Sequence, residues 1–315
     1  MTRIRRRSPV SPEAKRVRVR VENRELTLSN LTKVLYPQTG FTKAQVIDYY
    51  MRIAPVLLPH IARRPLTLKR YPDGVDGDFF YEKNAPSHRP DWVPTHRIAS
   101  PGSTKPRDSV LYVVAGDLPT LIWAANLADL EIHTPMWRLP GVGEPDLLVF
   151  DLDPGAPATI VDCCRVAMAL KPLLEEAGLH PVAKTSGGKG LQVYAALAGM
   201  TSPEASDLAR AFAEQIEKAR PDLAVSRMTK ALRAGKVLID WSQNNAAKTT
   251  VAPYSLRAMA TPTVSTPVTW DEVAACEDRR DLVFTSDAVL DRVEDRGDLM
   301  APVLGSAPHR GSEGR

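Results

Sequence analysis

Only three cysteines occur in 315 residues, and their positions, 163, 164 and 276, match no metal-ligand spacing. So few thiols argue against a disulfide framework and fit a reducing compartment. No apolar run is long enough to cross a bilayer, so no membrane partner is expected. Met1 to Arg7 is basic but has no apolar stretch behind it, so it reads as no secretory signal, and a cytoplasmic protein is expected. Internal repeats are absent. Excess charge is small as well, a net +4, yet it is unevenly placed: residues 1–20 hold eight Arg or Lys and one Glu. That local +7 leaves about −3 for the rest of the chain. A basic arm of this kind binds nucleic acid by neutralising phosphates, and it equally fits a solvated tail.

What is present is an ordinary globular composition, 43% hydrophobic and 25% charged, with length enough for a sizeable core. Residues 1–14 read as a disordered basic arm, 15–300 as the folded domain and 301–315 as a frayed tail. Val17, Val19 and Val21 alternate with Arg and are followed by Glu25-Leu26-Thr27-Leu28, the pattern of a β-hairpin. Thr42 and Gln45 form a capping box, with Val46, Ile47, Tyr50, Ile53 and Leu57 at helical spacing behind it. Residues 72–108 read as loops with short strands, 118–127 as a helix and 130–133 as a strand. Helices are expected over 158–177 and 202–220, and strands over 147–150, 182–185, 191–197 and 237–241. Helices and strands mix without strict alternation. An α+β fold with a mixed central β-sheet and flanking helices is therefore expected.

The chemistry concentrates in three segments. Phe150-Asp151-Leu152-Asp153-Pro154-Gly155 ends an apolar strand, and side chains at i and i+2 share a face. Asp151 and Asp153 therefore project together and repel unless a cation lies between them. Taken alone, such a pair also fits a solvated strand-to-turn boundary. Asp240 closes a second apolar run, Val237-Leu238-Ile239, where a carboxylate is costly unless paired or metal-bound. Three aspartates on two strands are what two-metal phosphoryl transfer needs, and hard oxygen ligands suit Mg²⁺ or Mn²⁺. The second segment, Lys184 to Gly190, carries three glycines and Lys189, a composition that lets backbone N–H groups approach phosphates. It lacks the Walker A spacing, and alone it equally fits a Gly-rich hairpin. The third runs from Asp240 through Gln243 and Lys248 to Arg257, whose guanidinium suits bidentate phosphate contacts.

Together these segments closely resemble the polymerase domain of bacterial ligase D, of the archaeo-eukaryotic primase superfamily. The resemblance rests on Lys33-Val34-Leu35-Tyr36-Pro37, Arg64-Pro65, Lys69-Arg70-Tyr71-Pro72, Phe79-Phe80-Tyr81-Glu82-Lys83, Leu130-Glu131-Ile132-His133 and Trp137. It continues through Asp151-Leu152-Asp153-Pro154, Ser186 to Leu191, Asp240 to Asn244, Ala252 to Arg257 and Thr266 to Glu272. It runs in order from about residue 24 to 295, and it implies a primase-like catalytic core. It further implies that Asp151, Asp153 and Asp240 are catalytic ligands of two Mn²⁺ or Mg²⁺ ions, Mn²⁺ supporting the best activity. His133, Ser186, Lys189, Gln243 and Arg257 then contact the incoming nucleoside triphosphate. Lys33 and Lys43 grip a 5′-phosphate on downstream DNA, while Phe80 and Tyr81 stack on the template.

The implied activity is template-dependent nucleotidyl transfer at breaks and short gaps in non-homologous end joining or gap repair, with ribonucleotides preferred. Ku and a nucleoid location follow from the same resemblance. Arg70-Tyr71-Pro72-Asp73-Gly74 lacks the lysine nucleophile of a ligase adenylation site, so a separate DNA ligase is expected to seal the product. One departure stands out: the family ends its glycine loop in Leu-His, where this chain has Leu191-Gln192, which puts its activity level and nucleotide choice in question. Within the superfamily the alternative is a primer-making primase-polymerase. Outside it are a haloacid-dehalogenase-like phosphohydrolase, disfavoured by Gly155 where Thr or Val belongs, and a non-catalytic DNA-binding module, disfavoured by three intact aspartates.

Overall fold

The computed structural model describes residues 16–99 and 109–305; the basic arm expected over 1–14 and most of the tail expected over 301–315 lie outside them. The hairpin forms as the alternation dictates, with β1 (Arg16–Val21) antiparallel to β2 (Arg24–Ser29). Its apolar face turns inward, burying Val21, Leu26 and Leu28. Two short strands, β3 (Val34–Tyr36) and β4 (Phe41–Thr42), lead into α1 (Lys43–Ile61). Thr42 and Gln45 exchange both bonds of the capping box, and Val46, Ile47, Tyr50, Ile53 and Leu57 are all buried. Next come β5 (Thr67–Arg70), β6 (Phe80–Glu82), the pair β7 (Thr95–Ala99) and β8 (Ser109–Val113), α2 (Leu118–Asn126) and β9 (Asp129–Thr134).

The C-terminal half holds β10 (Leu147–Pro154), α3 (Ile160–Glu176), β11 (Val182–Thr185), β12 (Leu191–Ala196) and α4 (Ser202–Ala219). It continues with β13 (Ala224–Val225), β14 (Val237–Asp240), β15 (Thr250–Val251), β16 (Pro267–Val268), α5 (Trp270–Ala274) and α6 (Ser286–Arg296). Two sheets dominate. A six-stranded sheet runs β13-β14-β10-β12-β11-β16, and a four-stranded one runs β15-β9-β5-β6. In the first, β13 and β14 are parallel and every other pair is antiparallel, so the sheet is mixed, as the irregular element order implied.

Two cores follow from strand alternation. Leu148, Phe150 and Leu152 of β10 pack under α3 and α4, together with Cys163, Cys164, Ala205, Ala209 and Ala213. Leu147 and Val149 face the other way, into a second core built from α1, α2 and the four-stranded sheet. Asp151 and Asp153 continue the Val149 side, so they emerge between the two sheets. One expectation needs correcting. Residues 301–304 form a 3-10 turn with Val303 buried against the second core, because Val303 has an apolar place to go before the chain ends.

Candidate active site

Register across the six-stranded sheet brings the polar residues into one line. Asp151 stands opposite Asp240 on β14 and opposite Gln192 on β12, and Gln192 stands opposite Lys184 on β11. Asp153 follows two residues on, on the same face, at the open end of β10. Asp240 is only 8% exposed, Asp151 is half-buried and Asp153 is exposed. Gln192 Nε2 donates to Asp151 Oδ1 at 2.9 Å. Asp240 Oδ1 accepts from Ser242 N at 3.0 Å and from Ser242 Oγ at 2.5 Å, and its Oδ2 accepts from Gln243 Nε2 at 2.9 Å. Asn244, in the same polar run, exchanges two bonds with the backbone of Val149, so its role is to fasten the turn to β10.

The carboxylates are short of positive charge. Burial, then Asp153 and Asp240, push the Asp151 carboxyl up to about 7, against a hydrogen bond from Gln192 and the charge of Lys184. Asp153 is raised by what burial it has and by Asp240. Hard oxygen donors gathered on one face fit a divalent cation in their chemistry. Among the described residues no three carboxylate, imidazole or thiol groups already stand at metal-ligand spacing, so the fit is one of donor type and strand register. Beneath the row, Lys184 is fully buried; it donates to Ser265 Oγ at 2.6 Å and to the Gln192 amide oxygen.

The glycine loop between β11 and β12 is held by crowding. A Cβ on Gly190 would lie 2.3 Å from the Leu152 carbonyl oxygen, and Gly187, at φ +69°, has Arg257 and Val264 within 2.6–2.7 Å of that position. Ser186 Oγ accepts from the N–H groups of Gly188 and Gly190, at 3.2 and 3.1 Å. Those two donors thus brace the loop. Lys189 is exposed at its tip.

Arg257 joins this loop to the second sheet, its Nη1 donating to the Ser186 carbonyl at 2.6 Å. Its Nε lies 3.3 Å from Glu131 Oε2, close enough for an ion pair but not aligned as a hydrogen bond. Glu131, 2% exposed on β9, is a hub that the sequence reading left without a role. It accepts from His133 Nε2 at 3.0 Å, Lys69 Nζ at 3.2 Å, Tyr71 OH at 3.4 Å and the Ala258 N–H at 3.1 Å. Burial alone would raise its carboxyl; the bond from His133 and the charges of Arg257 and Lys69 outweigh it and hold the group at about 2. His133 is lowered by burial, with Arg257 and Lys69 adding to the effect and Glu131 opposing it. The signal that would have found Glu131 is the one that found the aspartates, a charged pair at i and i+2 on an apolar strand.

A shelf of exposed aromatics adjoins this pocket. Phe79, Phe80 and Tyr81 are 51%, 42% and 55% exposed, and the Tyr81 ring meets His133 edge-on at 6.0 Å. Lys69 lies 4.5 Å from the Phe79 ring centre and Arg70 5.1 Å from that of Phe80. Phe79, part of the same motif, had no role assigned from sequence. Lys33 and Lys43 are neighbours, the Lys43 N–H donating to the Lys33 carbonyl at 2.8 Å. Lys33 pairs with exposed Asp73 at 2.7 Å. Lys43, at the start of α1, is only 5% exposed and has no carboxylate partner among the described residues; its ammonium makes one long contact, 3.4 Å, to Ser29 Oγ. Burial, then Lys33 and Arg70, lower it to about 8.

Known proteins resemble this chain over most of its length. A family model described as the LigD primase-polymerase domain matches residues 42–300. The multifunctional non-homologous end joining protein LigD of Mycolicibacterium smegmatis is 48% identical over 284 residues, covering 89% of this chain and 36% of that protein. The bifunctional LigD of Bacillus subtilis is 30% identical over 275 residues, covering 87% of this chain and 43% of its own length. The chain thus spans well under half of these relatives. Among solved structures, the polymerase domain of Mycobacterium tuberculosis ligase D in complex with DNA superposes with a TM-score of 0.83 at 42% identity, covering 90% of this chain and 99% of that one.

Proposed function

The chain belongs to the LigD primase-polymerase family, and from that premise we propose that it is a template-dependent polymerase, preferring ribonucleotides, which extends DNA ends at breaks and short gaps. The observation that carries this reading is the opposition of Asp151 and Asp240 on neighbouring strands, with Asp153 on the same face, beside a pocket that gathers Arg257, His133 and Lys69. Asp151, Asp153 and Asp240 would hold two Mn²⁺ or Mg²⁺ ions, which supply Lewis acidity to the 3′-hydroxyl and to the departing pyrophosphate. His133, Ser186, Lys189, Gln243 and Arg257 bind the incoming nucleotide. Glu131 and the Ser186 carbonyl fix the Arg257 guanidinium before the triphosphate arrives, so little ordering cost falls on binding.

Phe80 and Tyr81 take unpaired template bases on their exposed rings, a contact that tolerates any sequence. Lys33 and Lys43 seat the 5′-phosphate across the gap. That seat favours gap filling over primer synthesis, because a primer-making enzyme needs no landmark on a downstream strand. Ku, a DNA ligase and a place at the nucleoid in the cytoplasm are further proposals, supported by the non-homologous end joining role named for the relatives; among the described residues no helix is long and apolar enough to cross a membrane.

The test is nucleotide incorporation on a gapped template with and without Mn²⁺ or Mg²⁺. Asp151→Ala and Asp240→Ala should abolish it while DNA binding and thermal stability persist. Retention of more than about a tenth of the wild-type rate would overturn the two-metal assignment.

A further inference from the structure

The first strand of the hairpin carries arginine at every second position. Arg16, Arg18 and Arg20 are exposed, and strand alternation puts all three on one face. Their cross-strand partners on that face are Ser29, Thr27 and Glu25. The opposite face is committed to the core through Val21, Leu26 and Leu28. Among the described residues none of the three arginines makes an ion pair, although Glu25 stands opposite Arg20.

The row begins at the seat proposed for the 5′-phosphate. Arg16 stands opposite Ser29, and among the described residues Ser29 Oγ is the hydrogen-bond partner of the buried Lys43 ammonium. The hairpin is also held firmly. Ser29 N donates to Asn126 Oδ1 at 3.1 Å, and Asn126 Nδ2 donates to the Thr27 carbonyl at 3.2 Å, tying β2 to the end of α2. The row therefore leaves Lys43 in a fixed direction. From Arg16 to Arg20 a strand advances about 13–14 Å, roughly four base pairs of duplex rise.

We infer that Arg16, Arg18 and Arg20 form a track for the phosphate backbone of the duplex downstream of the break, continuous with the Lys33–Lys43 seat. The inference rests on the proposed seat for its direction. It assigns the hairpin a contact with continuous backbone, separate from recognition of the terminal phosphate. The competing explanation for a charged outer strand is protection of an unpaired sheet edge against aggregation.

The experiment measures binding of the full chain over a range of salt to three DNAs: a gap with a 5′-phosphate and about two turns of downstream duplex, the same gap with a 5′-hydroxyl, and a primer-template with no downstream strand. The variant is Arg16→Gln/Arg18→Gln/Arg20→Gln, with the three single variants as controls for hairpin folding. Each arginine that neutralises one phosphate contributes about 0.9 to the slope of log affinity against log salt. The triple variant should lose about 2–3 from that slope on both gapped DNAs, the singles about one each, and none of them should change on the primer-template. The phosphate-to-hydroxyl preference should survive in the triple variant and vanish in Lys33→Ala/Lys43→Ala. An unchanged slope on the gaps, or an equal loss on the primer-template, overturns the track; aggregation of the triple variant with unchanged slope assigns the row to edge protection. A wild-type protein indifferent to the 5′-phosphate, with the triple variant still losing slope only on the gaps, overturns the seat and leaves the track standing.

Discussion

Lys43 offers a test of phosphate recognition that pH alone can run. Its ammonium is nearly out of water and feels Lys33 and Arg70, so it releases its proton at about 8 in place of the ordinary 10.5. A terminal phosphate is already a dianion above about pH 7, so the ligand does not change between pH 7 and 9. If binding requires the charged ammonium, affinity follows the charged fraction of the free protein. That fraction falls from roughly nine-tenths at pH 7 to one-tenth at pH 9, so preference for a 5′-phosphate over a 5′-hydroxyl should fall about tenfold, or 1.4 kcal/mol. Most of that fall should come between pH 7.5 and 9. Lys43→Met, which keeps the length and loses the charge, should start with the lower preference and show little change with pH. The assay is a titration of both gapped DNAs at fixed salt. A flat preference in the wild type, or the same fall in Lys43→Met, would refute the assignment. Folding is linked in the opposite sense. A lysine whose folded value is depressed binds fewer protons folded than unfolded, so its contribution to stability rises with pH between about 8 and 10.5.

Three further outcomes are expected. Lys189→Ala and Arg257→Ala should each weaken nucleotide binding by about 1.5–3 kcal/mol, read as apparent nucleotide affinity in single-turnover incorporation; unchanged values for both would remove them from the site. Glu131→Ala should cost about 3–5 kcal/mol in denaturant unfolding, because it leaves Lys69, Arg257 and His133 gathered around a missing countercharge, and Glu131→Gln should cost less. Asp129, 1% exposed, is raised well above 3.8, first by burial, which outweighs the charge of Arg70 and a backbone hydrogen bond from Lys69. Its folded value being raised, its contribution is full below about pH 4 and is lost as pH rises, so Asp129→Asn should stabilise the protein by about 1–3 kcal/mol at pH 8 and hardly at all at pH 4. Thermal melts at both values decide it, and a destabilised variant at pH 8 would show that the carboxylate is needed.

The parts legible in the sequence were those that local physics decides. The capping box at Thr42, the helix stop at Gly178 and the shared face of Asp151 and Asp153 each depend on a few neighbouring residues. The two-residue strands β4, β13, β15 and β16 were not legible, because so short a segment has no period of its own and is a strand only by virtue of its partner. The helical run after Thr42 continues through Pro55 and Pro59, which propensity alone would end; packing of the surrounding core carries it on. Within the candidate site, Gln192 was marked as a departure from a pattern, but its place beside Asp151 is a matter of long-range register. Burial of Lys43 was likewise invisible, since a lysine at a helix start is ordinarily solvated.

The line from Asp240 through Asp151 and Gln192 to Lys184 also bears on how such a chain can vary over generations. Each member belongs to a different strand of one ladder, and the back of that ladder is packed against α3 and α4. A substitution at a neighbouring position changes one side chain and leaves the spacing alone. An insertion or deletion of a single residue within β10, β12 or β14 turns the affected carboxylate or amide to the helical side and brings an apolar residue into its place. Length changes in these three strands should therefore be all-or-none in their effect, and drift in chain length should be confined to the connections.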